Sequence, residues 1–179
     1  MAYVTTTFAR AEQAGVQVVV FGSGGARQVP DGWSRDEANR QLAAFGRMLA
    51  PIAARHGVTV AIEPLRKAEC NILNTVAEGA ALARTVNHPA LALLVDGYHW
   101  ATDGDASEAI VEHRSRLAHT HIATTAHRLA PGMEACDFRS FFDALRRANY
   151  TGRMSIEGGL GNPAATLPVA ARMLRQAWI

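Results

Sequence analysis

The sequence predicts an α/β fold built on a parallel sheet, and three observations carry that reading. Short apolar runs alternate with amphipathic stretches of helical period, the runs are rich in β-branched residues, and several end on a single polar residue. Runs that are apolar on both sides of the pleat suit strands buried on both faces. Alternation of strand and helix at this spacing implies βαβ units.

An opening helix over 3–14 precedes a first strand at 16–21, which enters a glycine-rich loop at Gly22–Gly25. Ser34 is placed to cap the next helix. Its apolar residues Leu42, Phe45, Met48, Leu49 and Ile52 recur at helical spacing up to Gly57, with Pro51 as a candidate kink. The second strand is 58–62 and the helix after it 75–86. A third strand at 91–95 leads to a helix over 107–116, and the fourth strand is 117–122. A loop containing Pro131 and Gly132 runs to Asp137, the expected cap of a helix over 138–148. Residues 152–156 form the fifth strand and 163–178 the closing helix. Right-handed crossovers place the helices over the outer face. Five strands fit an open doubly wound sheet or part of a (β/α)₈ barrel, and periodicity does not choose between them.

With 179 residues, 49% of them hydrophobic, the chain can fill the core of one domain, read as a single unit over residues 1–179. A net charge of +2 with 19% charged residues makes no electrostatic case for a nucleic acid or a membrane surface. Arg139, Arg146 and Arg147 read as a solvated helix face. Cys70 and Cys136 form no metal or redox motif, which points to a reducing cytoplasm. No basic stretch precedes an apolar run at the N-terminus, and no run approaches membrane-spanning length. The expectation is a soluble, cytoplasmic protein.

Four polar residues break otherwise apolar strands: Glu63, Asp96, His121 and Glu157, each at the C-terminal end of a different one. Parallel barrel strands present those ends at one common mouth. An isolated carboxylate there would be costly without a partner, so a single one is ordinarily structural and salt-bridged to an arginine. Four at successive strand ends is a pattern that chance explains poorly. Three carboxylates and an imidazole make a hard oxygen and nitrogen set. It suits one divalent ion, Mn²⁺ first and Mg²⁺ or Co²⁺ as alternatives, over a thiolate-type zinc site.

Further polar residues lie just beyond. Glu69 and Asn71 follow Glu63, and His99 follows Asp96 across Gly97 and Tyr98. Strand alternation puts His119 on the same side as His121 but one layer deeper, as a packed core histidine. His56, His88 and His113 are expected at the surface, and Asp103 and Asp105 in loop or cap positions. The Gly22–Gly25 loop lacks the spacing of a phosphate-binding or dinucleotide fingerprint and reads as a tight turn, with Arg27 as a candidate anion-binding group beside it.

At these residues the chain resembles the xylose-isomerase-like TIM-barrel superfamily of sugar and sugar-phosphate isomerases and epimerases. The matching stretches are VVVFGSG at 18–24, AIEPL at 61–65 with Glu69 and Asn71, LVDGYH at 94–99, HTHIA at 119–123, Pro131-Gly132, and NYTGRMSIEG at 149–158. The resemblance implies that Glu63, Asp96, His121 and Glu157 coordinate one metal. In the ketose 3-epimerase branch the two glutamates also exchange protons with the substrate carbon. It further implies that Glu69 and His99 hold the substrate's carbonyl end. That branch carries an arginine six residues after the metal histidine. Here that position is His127, and the neighbouring Arg128 replaces it if the loop shifts by one.

Full barrels of this kind need about 250 residues, and only five strands can be placed. The opening helix and first strand resemble the family's third helix and fourth strand, so two sheet edges are expected to be exposed. The implied function is a divalent-metal-dependent isomerase or epimerase. It would act on a sugar or sugar phosphate by proton transfer through an enediolate, in a homo-oligomer that covers the edges. A keto-inositol dehydratase and a non-catalytic barrel fragment are the alternatives. A metal-dependent endonuclease would need more histidine ligands and a basic groove than the sequence offers.

Overall fold

A computed structural model describes residues 2–178. Helix α1 (Ala2–Gln13) leads into strand β1 (Val18–Phe21). A four-residue helix α2 (Gly24–Arg27) and the long α3 (Arg35–Arg55) precede β2 (Thr59–Ile62). Helix α4 (Val76–Val86), strand β3 (Leu91–Asp96) and helices α5 (Gly97–Asp103) and α6 (Ser107–Glu112) follow. A 3₁₀ turn, β4 (Leu117–Ile122), α7 (Arg139–Arg147), β5 (Met154–Ile156) and α8 (Pro163–Trp178) complete the order.

The five strands pair in parallel in the order β1-β2-β3-β4-β5. That order resolves the question periodicity left open. A doubly wound sheet reverses direction at a switch point, whereas here each strand is added beside the previous one throughout. The helices follow the same progression, with α1 on α3, α3 on α4, α4 on α6, α6 on α7 and α7 on α8. The product is a half-barrel, with one helical layer outside the sheet.

Two apolar clusters hold it. Phe8, Leu49, Ile52, Val60, Ile62 and Leu91 pack at the β1–β2 side. Leu93, Val95, Ile110, Ile122, Phe141, Phe142 and Leu145 pack at the β3–β5 side. Close approaches set the spacing of sheet and helices. A Cβ on Gly79 of α4 would lie 2.8 Å from Leu93 Cδ1, and one on Gly46 of α3 would lie 2.8 Å from Val86 Cγ2.

The helix starts follow from local chemistry. Ser34 Oγ accepts from Glu37 N at the start of α3, and Thr75 Oγ1 accepts from Glu78 N at the start of α4. Pro51 lies inside α3 without dividing it. Asp137 does not occupy the formal cap position of α7, which is Phe138, yet its Oδ1 accepts from Arg139 N at 2.9 Å and so satisfies one of the free first-turn amides. The Gly22–Gly25 loop, expected as a tight turn, continues into α2. Helix α5 was not anticipated. It starts directly at the end of β3, where Asp96 Oδ1 accepts from Tyr98 N at 2.9 Å, and it stops at Gly104 with a left-handed backbone. Among the described residues no helix is long and apolar enough to cross a membrane.

Phe142 lies at the centre of the second cluster, 2% exposed, with its ring 6.3 Å from Phe138 and 5.9 Å from Trp178. Phe142→Ala is expected to cost about 3–5 kcal/mol, read from urea unfolding. A loss under about 1 kcal/mol would show that this cluster is not the packing centre described.

Candidate metal centre

Parallel pairing brings the four strand-end residues to one level. Asp96 of β3 is in register with His121 of β4, and His121 with Ser155 of β5. Glu63 and Glu157 each follow the last residue of a strand, and the ladder continues one step to hold them. Glu63 N donates to Phe21 O at 3.2 Å, and Glu157 N donates to Ile122 O at 3.1 Å. Residues two apart on a strand share a face, so Glu157 stands above Ser155. His119 lies beneath His121, as expected. Its Nε2 is 2.8 Å from Ser155 Oγ, and its ring packs edge-on to His121 at 5.4 Å.

His121 sits between the two glutamates. Its Nδ1 is 2.9 Å from Glu63 Oε1 and 3.2 Å from Glu157 Oε2. Burial alone pulls the imidazole down, but the hydrogen bonds to Glu157 and Glu63 outweigh it and raise His121 to about 9. The same bond to His121 holds Glu157 down to about 2, with Arg128 adding to the effect. Asp96 is 1% exposed, and desolvation raises it to about 7 against the bond from Tyr98 N. This is the response of a crowded acidic site, in which one carboxyl keeps its proton when positive charge is short.

Glu63, Asp96, His99 and Glu157 offer ligand atoms that all lie within 4.8 Å of one another. Opposite oxygens around an octahedral Mg²⁺-type ion stand about 4.2 Å apart, so this group spans about one coordination sphere. The donor chemistry fits a hard divalent cation. His99 belongs to this group although the sequence reading placed it with the substrate. Its Nε2 is 3.6 Å from Asp96 Oδ2 and 4.0 Å from Glu69 Oε2. Burial lowers its basicity, and its Nδ1 is buried without a hydrogen-bond partner among the described residues.

The loop after β4 turns Arg128, and not His127, toward the mouth. His127 points away, its side chain 76% exposed and its Nδ1 2.7 Å from Glu134. Arg128 adopts a left-handed backbone at φ 53° and turns its guanidinium into the mouth. The backbone there is stitched down. Gly159 N donates to Arg128 O at 2.8 Å, Leu129 N donates to Thr124 Oγ1 at 2.9 Å, and Leu129 bridges to Gly159 as in a parallel sheet. Thr124 Oγ1 in turn donates to Glu134. Arg128 Nη2 then lies 2.7 Å from Glu157 Oε2, and Nη1 lies 3.6 Å from Glu69 Oε2. Tyr98, buried and not singled out in the sequence, carries Arg128 on its ring at 4.8 Å and Arg66 at 5.1 Å. The Gly-Tyr-His step after Asp96 was the available signal for it.

Two supporting residues differ from expectation, and Asn71 gains a structural place. Arg27 is not an anion-binding group in the mouth. It is 6% exposed and donates to Phe21 O at 2.9 Å and Glu63 O at 2.7 Å, bracing the ends of β1 and β2. Asn71 is structural, joined to both backbone groups of Val29. His113, expected at the surface, is 8% exposed with Nδ1 3.2 Å from Arg84 Nη1. Gly22 also has a specific reason to be glycine, since a Cβ there would overlap Glu63 Oε2.

With this geometry in view, residues 1–177 match the family described as the xylose isomerase-like TIM barrel. The chain belongs to that family. It is 32% identical over 126 residues to the 3-dehydro-D-guloside 4-epimerase of Escherichia coli K12, an alignment covering 70% of this chain and 48% of that protein. It is 34% identical over 125 residues to the L-ribulose 3-epimerase of Methylomonas sp. DH-1, covering 69% of this chain and 43% of the relative. The crystal structure of the apo 3-keto-D-glucoside 4-epimerase from E. coli superposes with a TM-score of 0.82 at 27% identity, over 97% of this chain and 69% of that one. The chain thus spans about half the length of the curated relatives it matches.

The pKa directions give a signed expectation for chelator-treated protein. His121 is raised from 6.5 to about 9, so its contribution to stability is complete below 6.5 and is lost as pH rises through about 9. Asp96 acts in the same direction between 3.8 and about 7, whereas Glu157 acts oppositely and only between about 2 and 4.5. Imidazole NMR should find His121 protonated through neutral pH. A proton lost near the ordinary 6.5 would contradict the bridge between Glu63 and Glu157.

Proposed function

We propose that this chain carries the proton-transfer and metal-binding part of a divalent-metal-dependent sugar isomerase or epimerase, as one partial-barrel domain over residues 1–179. The observation that carries this reading is the pair Glu63 and Glu157 on two sides of His121, with ligand atoms within one coordination sphere of Asp96. Relatives named as epimerases of keto and ketose sugars support the same class.

In this reading Glu63, Asp96, His121 and Glu157 hold the cation, Mn²⁺ first and Mg²⁺ or Co²⁺ as alternatives. The bound cation supplies Lewis acidity at the sugar carbonyl. The side chains divide the remaining work. Glu63, 3% exposed and fixed by backbone bonds on both sides of its peptide, is a carboxylate with little freedom to leave the reacting carbon. Glu157, half-exposed and held by Arg128, faces it from the far strand. One carboxylate removes the proton on the carbon next to the carbonyl and the other delivers a proton to the opposite face, which is what epimerisation requires. Glu69, His99 and Arg128 line the approach and hold the sugar's carbonyl end. The substrate class is a small sugar or sugar phosphate.

Strands β1 and β5 are the two edges of the sheet, and Val16 just before the first and Val20 within it are more than a third exposed. Open parallel edges pair with other strands, so we assign them to contacts within a homo-oligomer.

Two measurements test this. Glu63→Gln and Glu157→Gln should each slow solvent-proton exchange into a panel of ketoses and their phosphates by about 10²–10⁴-fold. Exchange at the unmodified rate in either variant would remove that glutamate from the proton-transfer pair. Light scattering should find an assembly larger than one chain, and a monodisperse, well-folded monomer would remove the oligomer.

A further inference from the structure

The guanidinium of Arg128 stands among the same lone pairs that a metal ion would need. Its Nη2 is 2.7 Å from Glu157 Oε2, 3.3 Å from His99 Nε2 and 3.5 Å from Asp96 Oδ2. Those are three of the four residues whose ligand atoms converge within 4.8 Å. One cationic nitrogen therefore already satisfies most of the cluster. A lone pair that accepts a hydrogen bond from Nη2 is not free to coordinate, and a divalent ion beside a guanidinium would meet a like charge.

The side chain also has a second position within reach. Nη1 is 3.6 Å from Glu69 Oε2, at a point where both side chains are about 30% exposed. The Tyr98 ring lies under Arg128 at 4.8 Å, a flat support on which the guanidinium is held beside both carboxylate groups. The backbone beneath is fixed by Gly159 and Thr124, so only the side chain needs to move.

We propose that Arg128 is a built-in competitor for the metal: guanidinium and divalent cation exchange places, and Glu69 receives the arginine when the metal enters. This rests on the metal-binding reading above and adds to it an ordering of events. Arg128 takes its place at the sugar's carbonyl end only once the cation has displaced it, so an empty cluster does not present the completed substrate pocket. It also gives Glu69 a role at the metal site although it contributes no ligand.

Isothermal titration of chelator-treated protein with Mn²⁺ tests this directly. Arg128→Gln removes the competitor and should tighten Mn²⁺ binding by at least about tenfold, equal to about 1.4 kcal/mol. Glu69→Gln removes the receiving group and should weaken binding in the wild-type background but not in the Arg128→Gln background, a non-additive cycle. Unchanged or weaker binding by Arg128→Gln would overturn the competition while leaving the metal site standing. Absence of Mn²⁺ binding by either protein would overturn the metal reading, and this one with it. If Arg128→Gln does not fold, the wild-type protein still decides the matter. The Arg128 Nε–H resonance should shift on saturation with diamagnetic Mg²⁺, and an unmoved resonance would count against the exchange.

Discussion

Glu63, Asp96 and Glu157 bring three carboxyl groups into a space about one coordination sphere wide, and their mutual repulsion has to be met by positive charge or by protonation. The neighbourhood is arranged around that demand. His121 bridges the two glutamates, Arg128 reaches over Tyr98 to the third side, and Asp96 keeps its proton to about 7. The fold supplies the crowding because parallel strands in unbroken sequential order deliver their C-terminal ends to one level. Arg27 tightens that level by joining the carbonyls that follow from β1 and β2, and Gly22 leaves the room into which Glu63 projects.

Much of this was legible in the amino-acid order. The strand ends were readable because a charged or polar residue closing an apolar run conflicts with the run's own preference for burial. Glu63, Asp96 and Glu157 converge with His99, and His121 joins them through its bonds to the two glutamates. The helices with Ser34 and Thr75 at their starts were readable because the capping chemistry is local. Strand order was not legible in periodicity, since it is a property of pairing, and only the resemblance to a barrel family pointed to the sequential order found. Helix α5 was missed because its start is a strand residue, Asp96, serving as the cap, and its first helical residue is a glycine packed against Phe141. The displaced arginine was half-visible. The mismatch at His127 pointed to Arg128, but only the left-handed backbone and the bridge to Gly159 show how the loop takes up the extra residue. The place of His99 among the ligand atoms, the buried His113 and the role of Gly22 depend on neighbours far away in sequence, and nothing near them announces it.

Family membership and length bear on different parts of the structure. The strand ends of β2, β3 and β5 bring Glu63, Asp96 and Glu157 together with His99, so the candidate metal site is assembled from residues of this chain. The sheet edges are another matter. The surface near β1 and β5 includes Val18, Val20, His119, Arg153 and Ser155 around a cavity of about 530 Å³. Under the proposed function, ion binding, which needs a few fixed atoms, would depend on the clustered side chains, and sugar binding, which needs walls, on what lies along the flanks.

The stitch between Leu129 and Gly159 has a consequence for the proposed exchange of guanidinium and cation. It ties the loop carrying Arg128 to the loop that follows Glu157, so the guanidinium cannot diffuse away from its carboxylates. A tethered group acts at an effective concentration set by its tether, in the millimolar range or above for short links. A free monovalent cation of ordinary affinity gains little against it by abundance alone. A divalent ion has its second charge to set against that local excess. Under the proposed exchange, the same stitch that positions an arginine would therefore also act as a filter by valence, without adding a single ligand.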